Sequence, residues 1–146
     1  MLKLSQKLFN KKLTIAVAES CTSGLLANTL SNVYGSSRYL MGGVVAYNSS
    51  IKYTFLNIPK HTIIYSKKCA NLMNIGLQKQ INADIYVSVT GYLEPLNIEL
   101  TSVVFYSILY KNKNHSFRMR CRPNLNRQKQ KEFVVNQIIY TLNSIF

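Results

Sequence analysis

The stretch LTIAVAESCTSGLLANTL, residues 13–30, decides the fold of this chain of 146 residues. Its first part, residues 13–18, is a short apolar run with β-branched members, which predicts a buried strand. A polar turn follows, and residues 24–30 then place apolar side chains at helical spacing, with Thr22 or Ser23 as the expected N-cap. The stretch therefore predicts a strand, a polar turn and a helix in succession.

The rest of the chain continues this alternation of strands and helices. Further strands are predicted at residues 42–47, 85–90, 102–110 and 116–120, the last two as a hairpin. Helices are predicted around Leu4 and Leu8, from Ser49 or Ser50 to before Pro59, from Ser66 to about Gln80, and at 126–145. The pattern indicates an α/β fold: a single three-layer α/β/α domain over residues 1–146, with helices on both faces of a mixed central sheet.

Composition favours a globular protein. Hydrophobic residues make up 47% and charged residues 16% of the chain, enough to bury a core. No apolar run approaches the ~20 residues that span a bilayer, and the first residues do not fit a signal peptide, so no membrane partner is expected. Cys21, Cys69 and Cys121 lack metal-ligand spacing and are interpreted as free thiols of a reducing, cytoplasmic environment. His61 and His115 have no Cys or His partner at metal-ligand spacing in the sequence, so a histidine-based catalytic site or a metal site is not expected.

The chain is strongly basic. It has 18 Lys and Arg against 5 Asp and Glu, a net charge of +13. Such a charge is compatible with a nucleic-acid partner, with small anionic ligands, or with the Lys, Asn and Ile enrichment of an AT-rich genome. The basic residues concentrate in residues 3–12 and 111–131, without the aromatic–basic interleaving of single-strand binders. Nucleic-acid binding is therefore the weakest of the functional hypotheses.

Polar residues follow three of the predicted strands, and ligands of α/β sheets bind beyond the carboxyl ends of strands. Among these residues, Ser20, Tyr47 and Lys52 could form a hydrolase site without histidine. A lysine with a lowered pKa can deprotonate a serine, and a tyrosine hydroxyl can relay the proton. The same three residues also fit a helix cap, a core-edge aromatic ring and a solvated lysine, and spacing alone favours this structural interpretation.

The order of several motifs resembles one known family. Residues 14–52 contain AESCT and then GGVVAY, with a lysine five residues after the tyrosine; ADIYVSVTG follows at 83–91, and a helix closes the chain. This series is similar to the C-terminal domain family of the competence/damage-inducible protein CinA, over most of the chain. The family includes stand-alone nicotinamide-nucleotide amidases. The resemblance implies deamidation of nicotinamide mononucleotide to nicotinic acid mononucleotide and ammonia, without metal or cofactor, by a homo-oligomeric protein.

The resemblance also implies roles for individual residues. It makes Ser20 the nucleophile, activated by Tyr47 together with Lys52. Backbone N–H groups near residues 22–24 would stabilise the oxyanion. Arg127 aligns with a family arginine that could contact the ligand phosphate. The complete set of implied substrate-binding residues is Thr22, Ser23, Gly24, Gly43, Thr90, Gly91 and Arg127.

Three departures from the family pattern concern the walls of the site. Ser23 replaces the first glycine of SCTGG, which costs stability if the position needs a positive φ. Glu94 replaces a glycine of TGiaGP, and the glycine-rich loop after Pro95 is shortened to residues 96–100. They motivate a second hypothesis, a family member that keeps the fold but has weakened or lost catalysis and acts as a binding or structural protein.

Overall fold

The structure is a computed structural model that describes residues 1–93, 102–121 and 124–146. Every strand and helix predicted from the sequence is present, with ends shifted by a few residues. In chain order the elements are α1 (Leu2–Lys11), β1 (Ile15–Glu19), α2 (Leu25–Ser31), a 3-10 turn (Ser36–Arg38), β2 (Leu40–Val45), α3 (Ser49–Thr54), α4 (Lys67–Gln78), β3 (Ile85–Tyr92), β4 (Val103–Tyr110), β5 (Lys113–Arg120) and α5 (Arg127–Ile145).

The five strands form one sheet in the order β2-β1-β3-β4-β5. Strand β1 pairs in parallel with β2 and β3, whereas β4 and β5 extend the sheet antiparallel. Side chains of β1 alternate between two apolar cores: Ile15 and Val17 face α1, α2 and α5, and Ala16 and Ala18 face α4 and the segment after α3. The predicted α/β fold with helices on both faces of a mixed sheet is confirmed. Among the described residues, no helix has both the length and the apolar character of a bilayer span.

Two helix starts on one side of the sheet show how local polar groups fix the elements. Ser66 caps α4 as predicted, because its Oγ accepts a hydrogen bond from Cys69 N–H at 3.0 Å. The predicted caps of α3 are wrong: Ser49 and Ser50 lie inside the helix, and Asn48 Oδ1 accepts from Ser50 N–H at 2.9 Å. Asparagine caps as well as serine, and it lies one residue earlier.

The turn between β4 and β5 is tighter than the sequence predicts. Residues 111–114 were expected to form the loop, but only Lys111 and Asn112 lie between the strands, with φ of 49° and 61°. Two consecutive residues with positive φ form a type I′ turn, whose twist matches that of the flanking strands. Strand β5 therefore begins at Lys113, three residues before the predicted start at Ser116.

Candidate active site

Ser20 and Lys52 are in direct contact. Lys52 Nζ donates a hydrogen bond to Ser20 Oγ at 2.9 Å. Ser20 directly follows β1, and Lys52 lies on α3, which follows β2. Because β1 and β2 are parallel, their carboxyl ends meet at the same edge of the sheet and bring these two side chains together. The structure thus places the pair as the sequence predicts, while their chemical roles stay predictions.

The environment of Lys52 disfavours its charged form. Its side chain is only 1% exposed, and Nζ also donates to the carbonyl oxygens of Ala46 at 2.7 Å and Tyr47 at 3.4 Å. Among the described residues, none of its hydrogen-bond acceptors is a carboxylate. Burial lowers the pKa of Lys52 from its ordinary value, because the ammonium loses hydration on leaving water. The lysine is therefore suited to accept a proton from Ser20.

The neighbouring thiols remain protonated. Burial raises the pKa of Cys21 to about 12 and that of Cys69 to about 11. All three cysteines are free, as predicted, and burial raises the pKa of Cys121 to about 11 as well. A thiol needs its deprotonated form to act as a nucleophile. Ser20 rather than the adjacent Cys21 is consequently the candidate nucleophile.

A cavity of about 410 Å³ opens onto the Ser20–Lys52 pair. Its volume is within the range of small-molecule sites. The predicted residues Ser20, Tyr47, Lys52, Gly91 and Arg127 line it. Sequence reasoning missed its remaining lining residues, which are Cys21, Ser49, Ile64, Tyr65, Tyr92 and Leu93. Most of these lie directly after β1, at the start of α3 or at the end of β3, so their position at strand ends was the signal that could have found them.

Tyr47 does not reach the serine. Its hydroxyl accepts a hydrogen bond from Arg127 Nη2 at 2.6 Å, and its side chain is 54% exposed. Within the described ranges no hydrogen bond joins this hydroxyl to Ser20 or to Lys52 Nζ; only the backbone carbonyl of Tyr47 contacts Lys52. The predicted proton relay through the Tyr47 hydroxyl is thus not formed in this structure. The Tyr47 side chain instead contacts Arg127, the residue predicted to bind the phosphate.

The polar turn after β1 is held by hydrogen bonds among residues 19–24. Neither Thr22 nor Ser23 caps α2, contrary to the prediction; the Glu19 carboxylate accepts the Gly24 N–H at 3.1 Å instead. The Ser23 N–H donates to the Ser20 carbonyl oxygen at 3.0 Å. Both amides are therefore already engaged, and the prediction that they form the oxyanion hole is not supported by this geometry.

Residues 22–24 line a different cavity. This second cavity, of about 300 Å³, is also lined by Asn28, Gln128 and Lys131. Ser23 Oγ accepts from Lys131 Nζ at 3.3 Å. The structure separates Thr22, Ser23 and Gly24 from the cavity that Ser20 and Lys52 share, which corrects their predicted contact with the same ligand.

The contacts of two further predicted binding residues, Thr90 and Gly43, indicate a role in the fold. Thr90 is fully buried, and its hydroxyl donates to the Ile64 carbonyl at 3.3 Å. Gly43 lies in β2 beside β1, where a Cβ atom would lie 2.3 Å from the Val17 carbonyl oxygen. Glycine is required there for the close approach of two strands, not for a ligand. Glu94 and the shortened loop at 96–100 lie outside the described residues.

Ser23 adopts a left-handed conformation with a φ of 52°. This conformation costs an L-residue with a Cβ roughly 1–2 kcal/mol, part of which glycine recovers. We expect Ser23→Gly to raise the free energy of unfolding by about 1 kcal/mol, measured by denaturant titration. Lys12→Gly, at a matched φ of 52° far from the cavity, should give a similar gain. Unchanged stability in both variants would contradict the strain argument.

The molecule is an α/β protein with a mixed sheet, and its buried Ser–Lys pair and the candidate site lie at the carboxyl ends of the parallel strands. Among the described residues, no group of three or more His, Cys, Asp and Glu side chains could hold a metal ion. The sequence profile of the CinA C-terminal domain matches residues 1–146. The chain belongs to the CinA C-terminal domain family.

Individual relatives agree with this assignment. The Protein MG115 homolog of Mycoplasma pneumoniae is 34% identical, over 97% of this chain and 94% of its own length. A CinA-like protein of Desulfotalea psychrophila is 42% identical over 63% of this chain, but this covers only 23% of that longer protein. The competence or damage-inducible protein from Enterobacter asburiae superimposes with a TM-score of 0.90 at 22% identity, covering 99% of this chain and 94% of that chain. At that identity the superposition shows the shared fold.

Proposed function

We propose that this protein is an amidohydrolase that converts nicotinamide mononucleotide to nicotinic acid mononucleotide and ammonia in pyridine-nucleotide salvage. The observation that carries the proposal is the 2.9 Å contact between Lys52 Nζ and Ser20 Oγ, two residues that line a cavity of small-molecule size. The resemblance of AESCT, GGVVAY and ADIYVSVTG to the family of nicotinamide-nucleotide amidases supplies the substrate class.

The carbonyl groups around Lys52 support its role as the base. A neutral amine has two N–H donors and one lone pair. The carbonyl oxygens of Ala46 and Tyr47 accept two N–H bonds, which leaves the third position of the nitrogen for Ser20. In the neutral state the lone pair therefore faces Ser20 Oγ and accepts its proton. The lowered pKa of Lys52 raises the fraction of protein in this state.

The reaction follows from this proton transfer. Ser20 Oγ attacks the carboxamide carbon while its proton moves to Lys52 Nζ. The tetrahedral intermediate then expels the amide nitrogen, which takes the proton from Lys52 and leaves as ammonia. Water attacks the resulting ester of Ser20 and loses a proton to Lys52. The C–Oγ bond then breaks, Ser20 Oγ takes the proton back from Lys52, and the carboxylic acid is released.

Other walls of the cavity fit the remaining parts of the nucleotide. The rings of Tyr65 and Tyr92 lie 6.1 Å apart, tilted by 55°. Aromatic faces attract a cationic ring such as an N-substituted pyridinium. Arg127, at the first turn of α5, supplies a guanidinium that can hold a phosphate with two hydrogen bonds. The cavity thus offers a separate partner for the ring, the amide and the phosphate.

The experiment is to incubate the purified protein with nicotinamide mononucleotide and to measure ammonia and nicotinic acid mononucleotide. We expect release by the wild type and none by Ser20→Ala. Ser88→Ala is a matched control, because it removes a buried β3 hydroxyl that donates to the Ala70 carbonyl outside the cavity; it should retain activity. A folded wild-type protein that releases no ammonia would refute the proposal and favour a non-catalytic or retargeted family member.

A further inference from the structure

Glu19, the last residue of β1, carries a buried carboxylate. It is 1% exposed and immediately precedes Ser20. Its Oε2 accepts hydrogen bonds from the Thr22 hydroxyl at 2.6 Å and the Leu26 N–H at 3.0 Å, in addition to the Gly24 amide. Its Oε1 accepts from the Ala27 N–H at 2.8 Å. Four donors thus converge on one side chain.

Most hydrogen bonds to this carboxylate come from backbone amides. Among the described residues, no Lys, Arg or His side chain forms an ion pair with Glu19. Three of its donors are N–H groups at the start of α2, where the helix carries partial positive charge. These donors give both oxygens of the buried side chain hydrogen-bond partners without a cationic side chain. The same contacts engage the first amides of α2 within the protein itself.

The backbone around Glu19 is fixed as well. The Ala46 N–H donates to the Glu19 carbonyl oxygen at 2.7 Å, and the Ser20 N–H donates to the Val89 carbonyl oxygen at 3.0 Å. Residues 19 and 20 are therefore attached through the main chain to Ala46, which follows β2, and to Val89 within β3. The Glu19 side chain attaches them to α2 as well. Segments on both sides of β1 consequently determine where Ser20 Oγ lies.

We infer that Glu19 is a positioning residue that holds the turn at residues 20–24 so that Ser20 Oγ stays in contact with Lys52. The inference rests on the part of the proposed function that makes Ser20 a nucleophile, and it is independent of the substrate. Removing one carboxylate oxygen weakens the attachment of the turn to α2, so that Ser20 Oγ can shift. A displacement of about 1 Å at a reacting atom is enough to lower a rate by up to 10²-fold.

Glu19→Gln tests this inference, because it keeps the size of the side chain but replaces one acceptor oxygen with an NH₂ donor facing N–H and O–H groups. The readout is the second-order rate constant for labelling of Ser20 by a fluorophosphonate. The Ser20 Oγ forms a bond to phosphorus as fluoride leaves, and the reaction needs no nucleotide. The matched control is Asp84→Asn. Asp84 also accepts from a backbone N–H and a hydroxyl, those of Thr14 at 2.8 and 2.7 Å, but at the amino ends of β1 and β3.

We expect Glu19→Gln to lower the labelling rate about tenfold at a temperature where the protein is folded, and Asp84→Asn to leave it unchanged. The pH midpoint of labelling should be the same as in the wild type. Burial lowers the pKa of the Lys52 amine and the nearby Cys69 and Cys21 raise it, so the Glu19 side chain is not among the influences on this pKa. A tenfold loss with an unchanged midpoint is the signature of misplacement. Loss of stability alone would not produce it.

An unchanged labelling rate for folded Glu19→Gln, with only a lower Tm, would overturn the inference and leave the proposed function intact. Absence of labelling in the wild type would overturn both. Labelled wild type that does not hydrolyse nicotinamide mononucleotide would reject the proposed substrate and leave the role of Glu19 standing. If Glu19→Gln does not fold, Thr22→Val removes the 2.6 Å hydrogen bond alone and should slow labelling about threefold; an unaltered rate would then refute the inference.

Discussion

Lys52→Met should lower kcat for nicotinamide mononucleotide by about 10³-fold while the protein stays folded. Loss of a general base costs on the order of 10²–10⁴ in rate, and methionine fills a similar apolar volume without an acceptor nitrogen. Lys52→Arg should be as inactive, because a guanidinium keeps its proton throughout the accessible pH range. The measurement is steady-state release of ammonia, with circular dichroism to verify folding. Activity of Lys52→Arg near the wild-type level would show that charge, not proton acceptance, is what the site needs.

The same mechanism fixes the pH dependence. The active form of Lys52 is neutral, so kcat and the labelling rate of Ser20 should rise with pH through the pKa of this amine. Burial lowers that pKa, so the rise should be complete at a lower pH than an ordinary lysine would give. A rate that falls as pH increases over this range would contradict the assignment of Lys52 as the base.

The parts of the site that the sequence predicts are those set by chain order and strand topology. Ser20 follows an apolar run, and Lys52 lies in the first turn of α3, the helix that follows β2. Parallel pairing of β1 and β2 is therefore enough to bring the two side chains together. A buried strand and its polar end are visible in residue types alone. The fold and the proximity of Ser20 and Lys52 therefore follow from local pattern and one topological rule, whereas their proposed chemical roles come from the family resemblance.

The parts that the sequence does not predict depend on side chains that reach between elements. The caps of α2 were assigned to neighbours in sequence, whereas Glu19 reaches across eight residues to the amide of Ala27. The family resemblance places Tyr47 beside the serine, yet its hydroxyl bonds to Arg127, 80 residues further along the chain. Such contacts depend on how the elements pack in three dimensions, which sequence spacing does not encode.

Arg127→Ala should raise KM for nicotinamide mononucleotide about 30-fold with little change in kcat. A hydrogen bond to a charged group contributes about 1.5–3 kcal/mol, and each 1.4 kcal/mol is tenfold in affinity. Lys129→Ala removes a cation from the same turn of α5, one that is already paired with Glu132 at 2.9 Å, and should leave KM unchanged. The substrate supplies a further control: nicotinamide riboside lacks the phosphate, so Arg127→Ala should not weaken its turnover.

Tyr47→Phe then separates the two interpretations of the tyrosine. If the Tyr47 hydroxyl orients Arg127, as the 2.6 Å hydrogen bond indicates, the variant raises KM about fivefold and keeps most of kcat. The loss should also disappear with the riboside, since both residues then act on the same absent phosphate. If instead kcat falls as it does in Lys52→Met, for both substrates, the hydroxyl relays the proton after moving from Arg127 to Ser20. The exposure of Tyr47 and the contacts of Lys52 with backbone carbonyls favour the first outcome, because the lysine already has a direct path to the serine.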